Sequence, residues 1–119
     1  MYDTNNIFAK ILRDEIPCKK VAEGNYFLSF YDINPKANTH VLVIPTGPYL
    51  NAHDFAQNAS PVEQIGFWQG VDETLETLKL KENGYRLIMN TGINGRQEVP
   101  HMHMHILGGN DIGPMVVKK

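Results

Sequence analysis

The sequence predicts an α+β fold: an antiparallel sheet of about five strands that carries one long and one short helix. Three observations support this prediction. Short runs of β-branched and aromatic residues recur along the chain, one long amphipathic helix separates them, and few stretches are long enough for the crossovers of a parallel sheet. At 119 residues the chain can bury one two-layer core, so we expect a single domain over 1–119.

The N-terminal part predicts the short helix and then three strands. Apolar residues between positions 6 and 14 recur at helical spacing, and Pro17 follows the point where this helix ends. The pair Gly24-Asn25 is typical of a hairpin turn. Strands are therefore expected at 19–23, 26–32 and 40–44, with Pro45 ending the third.

The long helix has the clearest sequence signature. Ser60, Pro61 and Glu63 supply an N-cap, a proline in the first turn and the glutamate of a capping box. Apolar side chains then recur every three or four residues, which predicts a stripe that faces the core. The stripe is Val62, Ile65, Trp68, Val71, Leu75 and Leu78. Trp68 could lie at an edge of the stripe that a partner subunit covers. Asn83-Gly84 is expected to end the helix, before a strand at 85–90 and a loop at 91–97.

Composition excludes several classes of partner. The net charge is −2 and 20% of residues are charged, so no basic surface for nucleic acid is expected, and the pair Lys118-Lys119 is interpreted as a solvated tail. No apolar run approaches the ~20 residues of a membrane span, and the polar first six residues do not resemble a signal peptide. Cys18 is the single cysteine, which fits a reducing, cytoplasmic location and predicts no redox role.

A row of histidines near the C-terminus is the feature that points to chemistry. His101, His103 and His105 alternate with apolar residues, so on a strand they lie on one face, spaced by roughly 6.6 Å, while Met102, Met104 and Ile106 face the core. Imidazoles have no packing advantage over valine or isoleucine, and their pKa lies near neutrality.

Three readings of this row are open from the residues alone. Histidines on one strand face suit zinc, although Glu98 is the only acidic residue nearby in sequence and zinc needs ligands that converge. They could instead be hydrogen-bonded core histidines. The preferred reading is nucleophilic catalysis, since a neutral imidazole can form a covalent intermediate and its neighbours can orient it. His53, in a predicted loop, is interpreted as a surface residue.

The chain resembles the histidine triad (HIT) superfamily. His101 to Leu107 matches the family pattern His-φ-His-φ-His-φ-φ, where φ is apolar, and Asp32-Ile33-Asn34-Pro35 followed by His40 in 39–45 adds to the match. The ending Leu107-Gly108-Gly109 is similar to the Hint branch, the purine nucleoside phosphoramidases. The third histidine differs from the nucleotidyltransferase branch, which carries glutamine there.

The resemblance implies a hydrolase of purine nucleoside 5′-phosphoramidates or acyl nucleotides, without cofactor or metal and most often a homodimer. His103 would be the nucleophile, His105 would contact phosphate, and His101 and His40 would support the site. The nucleotide-binding positions implied are Asp32 for the ribose, Ile33 for the purine, and Asn90, Arg96, Gln97 and Glu98 on the phosphate side, with His103 and His105. Asp32 could instead cap a loop, and Asn90-Thr91-Gly92 is an ordinary turn former. A nucleotide-binding or scaffold protein with a vestigial site is the competing reading.

One residue and one segment of the chain depart from the family pattern. Glu98 stands where the Hint pattern has a serine thought to assist the leaving group, so either its carboxyl donates a proton or only its backbone N–H contacts phosphate; the backbone role is favoured. The segment 111–117 replaces the family's tryptophan-containing tail, which leaves the leaving-group preference open.

Overall fold

The computed structural model describes residues 1–116, so Val117 and the Lys118-Lys119 tail lie outside the described residues. It confirms the α+β class, with five antiparallel strands in the order β1-β2-β3-β5-β4. The elements are α1 (Ile7–Leu12), β1 (Lys20–Glu23), β2 (Phe27–Tyr31), β3 (Thr39–Pro45), α2 (Ala52–Asn58), α3 (Pro61–Thr77), β4 (Tyr85–Met89) and β5 (Met104–Gly108). No helix within 1–116 is both long and apolar enough to span a bilayer.

The sheet separates two apolar clusters. Val41 and Val43 of β3 belong to the cluster on the α3 side, whereas Leu42 and Ile44 belong to the cluster that contains Phe8 of α1. Because successive side chains of a strand point to opposite faces, β3 is buried on both. This double burial is why its sequence is a continuous apolar run. The strand extends one residue beyond the predicted end and includes Pro45, which pairs with Phe27 of β2.

The N-terminus of α3 confirms the predicted capping box. The Ser60 hydroxyl accepts a hydrogen bond from the Glu63 amide at 3.3 Å, and the Glu63 carboxylate accepts one from the Ser60 amide at 3.0 Å. The predicted C-terminus is wrong, because the helix ends at Thr77 rather than at Asn83-Gly84. Lys79 adopts a φ of +58°, and the Leu80 amide returns to the Leu75 carbonyl, a helix stop that usually carries glycine.

The predicted apolar stripe of α3 is only partly buried. Val71 and Leu75 are in the core, but Val62, Ile65 and Trp68 are 53%, 59% and 55% exposed. A step of three residues falls about 60° short of a full turn, so these three positions rotate away from the core face. Phe67, Gly70 and Thr74 take the buried positions instead; a Cβ on Gly70 would lie 2.2 Å from the Phe27 ring, so the helix packs directly against β2.

A second short helix, α2, is absent from the sequence prediction. Asn51 caps it, since its side-chain oxygen accepts a hydrogen bond from the Asp54 amide at 2.9 Å, and Phe55 is its buried residue. His53 therefore lies in a helix rather than in the predicted loop, and it is exposed as expected. Seven residues with a single buried aromatic are too few to show helical periodicity in sequence.

Candidate active site

The histidine row is only partly a strand. β5 begins at Met104, so His101 and His103 precede it, contrary to the prediction of one continuous strand. The Met102 amide donates to the Tyr49 carbonyl at 2.8 Å instead of joining the sheet. The alternation nevertheless persists, because Met102, Met104 and Ile106 all lie in the α3-side core. The histidines lie on the opposite side, where Phe8 meets the His103 ring edge-on at 5.0 Å.

A cavity of about 320 Å³ opens beside this row. His40, His103 and His105 line it together with Asp32. His101 is fully buried behind the cavity and does not line it. The remaining lining residues are Asn34, Lys36, Ile88, Asn90, Arg96, Glu98 and Leu107. The structure therefore brings together three of the four predicted catalytic histidines and six of the eight predicted binding positions. The six are His103 and His105 with Asp32, Asn90, Arg96 and Glu98.

The hydrogen bond of His103 determines which of its ring nitrogens carries the proton. Nδ1 lies 2.7 Å from the backbone carbonyl oxygen of His101, and a carbonyl can only accept. Nδ1 therefore carries the hydrogen. Burial lowers the pKa of His103, so the ring is neutral near pH 7 and Nε2 keeps its lone pair. An unprotonated imidazole nitrogen is the form required of a nucleophile.

A second chain of hydrogen bonds sets the proton positions of His40 and His105. The Lys36 backbone amide donates to Nδ1 of His40 at 3.0 Å, which places the His40 proton on Nε2. That Nε2–H lies 2.9 Å from Nδ1 of His105 and therefore donates to it. Burial lowers the pKa of both rings, that of His105 to about 4. Neutral His105 consequently carries its hydrogen on Nε2, a donor suited to a phosphate oxygen.

The same chain of hydrogen bonds argues against a metal site at the acidic end of the cavity. Ligand atoms of Asp32, His40 and His105 lie within 4.8 Å of one another. A metal on Nε2 of His40 would require that nitrogen to be unprotonated, which moves the proton to Nδ1. Nδ1, however, faces the Lys36 amide, itself a donor. The donor set therefore suits a neutral hydrogen-bonded pair better than a cation.

The Asp32 carboxylate caps a loop and also lies at the cavity. One carboxylate oxygen accepts a hydrogen bond from the Asn34 amide at 2.8 Å, which caps the loop. The other lies 3.4 Å from Nε2 of His40, at the cavity. Ile33 lies outside the histidine cavity, 88% exposed, on an adjoining groove of about 570 Å³ between α1 and the sheet. His103 and His105 also line that groove, so it is continuous with the cavity.

The loop before the histidines separates residues that face the cavity from residues that hold the loop. Arg96 and Glu98 line the cavity and are exposed. Gln97 does not line it, because its amide donates to the Leu50 and Val99 carbonyls at 2.7 and 3.0 Å. The Asn90 amide lines the cavity but also donates to the Gly95 carbonyl at 2.7 Å, as a turn former would. A Cβ on Gly95 would lie 2.5 Å from Thr91, so this turn requires glycine.

Three residues of the site are not identified from sequence. Tyr2 hydrogen-bonds His101, Phe8 packs against His101 and His103, and the Lys36 backbone fixes His40. Phe8 is expected only as a residue of the short helix, and the other two carry no motif. A backbone donor leaves no signal in sequence, and a contact across 99 residues depends on the complete fold.

A five-stranded antiparallel sheet with neutral, buried histidines beside a cavity is the architecture of a histidine triad protein. The model of the HIT domain matches residues 13–112 of the chain. The chain therefore belongs to the HIT family, as its sequence motif indicated.

Named relatives lie close to the chain over most of its length. It is 49% identical over 117 residues to a 13.2 kDa HIT-like protein of Azospirillum brasilense, covering 98% of this chain and 96% of the relative. It is 42% identical over 114 residues to the purine nucleoside phosphoramidase of Escherichia coli K12, covering 95% and 94%. A solved histidine triad protein from Clostridium difficile superposes with a TM-score of 0.84 at 33% identity, covering 98% and 100%. A HIT family hydrolase from Legionella pneumophila gives 0.82 at 36%, covering 90% and 95%.

Proposed function

We propose that the protein hydrolyses purine nucleoside 5′-phosphoramidates or acyl nucleotides through a covalent nucleotidyl-histidine on His103, releasing the nucleoside monophosphate. The observation that carries the proposal is the 2.7 Å hydrogen bond from His103 Nδ1 to the His101 carbonyl. It leaves Nε2 unprotonated in a ring that lines the cavity. The phosphoramidase relative from Escherichia coli supports the same reaction class.

The proposed reaction has two steps at phosphorus. Nε2 of His103 attacks the α-phosphorus and forms a P–N bond to it, while the bond from phosphorus to the leaving group breaks; an amine takes up a proton from solvent as it departs, and an acyl nucleotide releases a carboxylate. Water then attacks the same phosphorus, the P–N bond to His103 breaks, one proton of the water passes to solvent, and neutral His103 is regenerated. The Nε2–H of His105 would donate to the phosphate oxygens as negative charge develops on them.

The cavity and the adjoining groove suit the two ends of a nucleotide. The Asp32 carboxylate can accept hydrogen bonds from both hydroxyls of a ribose. The groove beside Ile33 has apolar walls from Ile11, Phe30 and Leu42, which suit a flat base. Lys36 and Arg96 place two cationic side chains on the cavity lining, where phosphate charge would lie.

We also propose that the protein is a cytoplasmic homodimer. Trp68 and Ile65 form an exposed apolar surface on α3, and large apolar side chains left in contact with water favour association. β4 lies at the sheet edge, which offers unpaired backbone groups for a second copy. The lone Cys18 is the feature that favours a reducing compartment.

Turnover of a fluorogenic adenosine 5′-phosphoramidate tests the proposed reaction. We expect product from the unchanged protein, none from His103→Asn, and the same rate after treatment with a chelator. A nucleotide-binding scaffold would bind adenosine monophosphate without forming product, and a metal-dependent hydrolase would lose its activity with the chelator. Either result would refute the proposal.

A further inference from the structure

We propose that Tyr2 is a positioning residue for the reaction: it holds the His101 ring, and the backbone carbonyl of His101 in turn orients His103. The proposal rests on the function proposed above. The Tyr2 hydroxyl lies 2.6 Å from Nδ1 of His101, and the two ring centroids are 5.7 Å apart in an edge-on arrangement. Tyr2 precedes the segment 13–112 that matches the HIT domain, so the family motif assigns it no role.

The direction of this hydrogen bond follows from the other nitrogen of the His101 ring. Nε2 lies 2.9 Å from the Pro45 carbonyl oxygen, which can only accept, so Nε2 carries the hydrogen. Burial lowers the pKa of His101 to about 4, and the ring is neutral at pH 7. Nδ1 therefore has a lone pair, and the Tyr2 hydroxyl is the donor. The ring is thus held at one nitrogen by Pro45 and at the other by Tyr2.

Tyr2 matters because His101 has no access to solvent. The side chain is 0% exposed, and within residues 1–116 every buried side-chain nitrogen and oxygen has a hydrogen-bond partner. Without the phenol hydroxyl, Nδ1 of His101 would become a buried acceptor without a donor. Rotation of the ring, or entry of a water molecule, would then give Nδ1 a new hydrogen-bond partner.

A displaced His101 ring would affect His103 through the backbone carbonyl of His101. The His101 carbonyl accepts the Nδ1–H of His103 at 2.7 Å, and this bond keeps the proton away from Nε2. If the carbonyl shifts, the tautomer with the proton on Nε2 becomes accessible, and that tautomer has no lone pair to attack phosphorus. Phe8 contacts both rings at its edge but offers no hydrogen bond, so it cannot replace Tyr2.

Tyr2→Phe removes the hydroxyl and keeps the aromatic ring. A misplacement of about 1 Å at a reacting group can cost up to ~10²-fold, so we expect kcat to fall roughly 10- to 100-fold with KM unchanged. Tyr49→Phe is the matched control, because it removes a phenol hydrogen bond of 2.8 Å to Glu63 that does not involve the histidines. We expect it to lower thermal stability and leave kcat unchanged. Equal losses of kcat in the two variants would refute the positioning role.

Nitrogen-15 NMR of the imidazoles in the unliganded protein separates this proposal from the proposed function. In the unchanged protein we expect His103 to show a single tautomer, protonated at Nδ1, and the His101 Nδ1 signal to be that of a hydrogen-bonded acceptor. Tyr2→Phe is expected to move the His101 signal and give His103 a mixture of tautomers. Unchanged His103 signals in a folded Tyr2→Phe protein would overturn the proposal. If the unchanged protein gives no turnover, the proposed function fails, while these signals still test Tyr2.

Discussion

Nε2 of His40 lies 2.9 Å from Nδ1 of His105, and the two rings are tilted by 44° to each other. Two imidazoles can share such a bond when one nitrogen carries a hydrogen and the other does not. Protonating His105 at Nδ1 would place a second hydrogen between the rings and a positive charge in a buried position. The pair is therefore held in its neutral form, as burial alone would also favour.

Buried neutral histidines predict that the free energy of unfolding depends on pH. The folded protein lowers the pKa of His101 and His105 to about 4, whereas an unfolded histidine titrates near about 6.5. The unfolded chain then binds more protons at acidic pH. The contribution of the two neutral rings to the free energy of unfolding is therefore complete above about pH 6.5 and is lost as the pH falls towards 4. His101 alone would contribute on the order of 3 kcal/mol.

Urea unfolding at pH 7, 6, 5 and 4 checks this prediction. The exposed His53→Gln variant controls for the loss of an imidazole outside the site, and its curve is expected to follow that of the unchanged protein. A free energy of unfolding that stays constant from pH 7 to pH 4 would contradict the buried, neutral assignment.

Glu98 tests how the leaving group is protonated. Its side chain is exposed and lines the cavity, so solvent reaches this position and can supply the proton that a departing amine takes up. We therefore expect Glu98→Gln to leave turnover nearly unchanged on both good and poor leaving groups. A loss of roughly 10²–10⁴-fold, confined to leaving groups that require protonation, would instead identify Glu98 as a general acid.

The homodimer prediction can be tested on α3. We expect light scattering at micromolar concentration to give twice the monomer mass, and Trp68→Lys to lower it by placing a charge in the apolar surface. Gln57→Lys, which adds the same charge on the exposed side of α2, is the matched control and is expected to remain dimeric. A monomer mass for the unchanged protein would contradict the prediction.

Elements whose signals are local can be predicted from the sequence. The capping box at Ser60 and Glu63 is a short-range pattern and is present as expected. The predicted end of α3 is wrong because Lys79 adopts a backbone conformation that usually signals glycine. The predicted stripe through Val62 and Ile65 is wrong because steps of three drift around the helix. Gly70, which an apolar pattern does not include, lies against the Phe27 ring of β2.

The site shows the same division. The alternation of His103 and His105 with methionines is enough to predict that both rings lie on one side of the chain, opposite the methionines, and both rings line the cavity. Their proton positions could not be predicted, because these depend on the backbone carbonyl of His101 and the backbone amide of Lys36. The family pattern predicts that Gln97 lies on the phosphate side. In the structure its amide donates to backbone carbonyls instead, and the sequence gives no sign of these partners.

In the proposed mechanism, His103 becomes covalently attached to the nucleotide. Mass spectrometry of the protein, quenched during turnover of an adenosine 5′-phosphoramidate, tests this attachment directly. The quench is rapid and alkaline, because the bond between histidine and phosphorus is sensitive to acid. We predict a peptide containing His103 that carries one adenylyl group, and its absence from His103→Asn under the same conditions. An adduct on another residue, or robust turnover by His103→Asn, would contradict the mechanism.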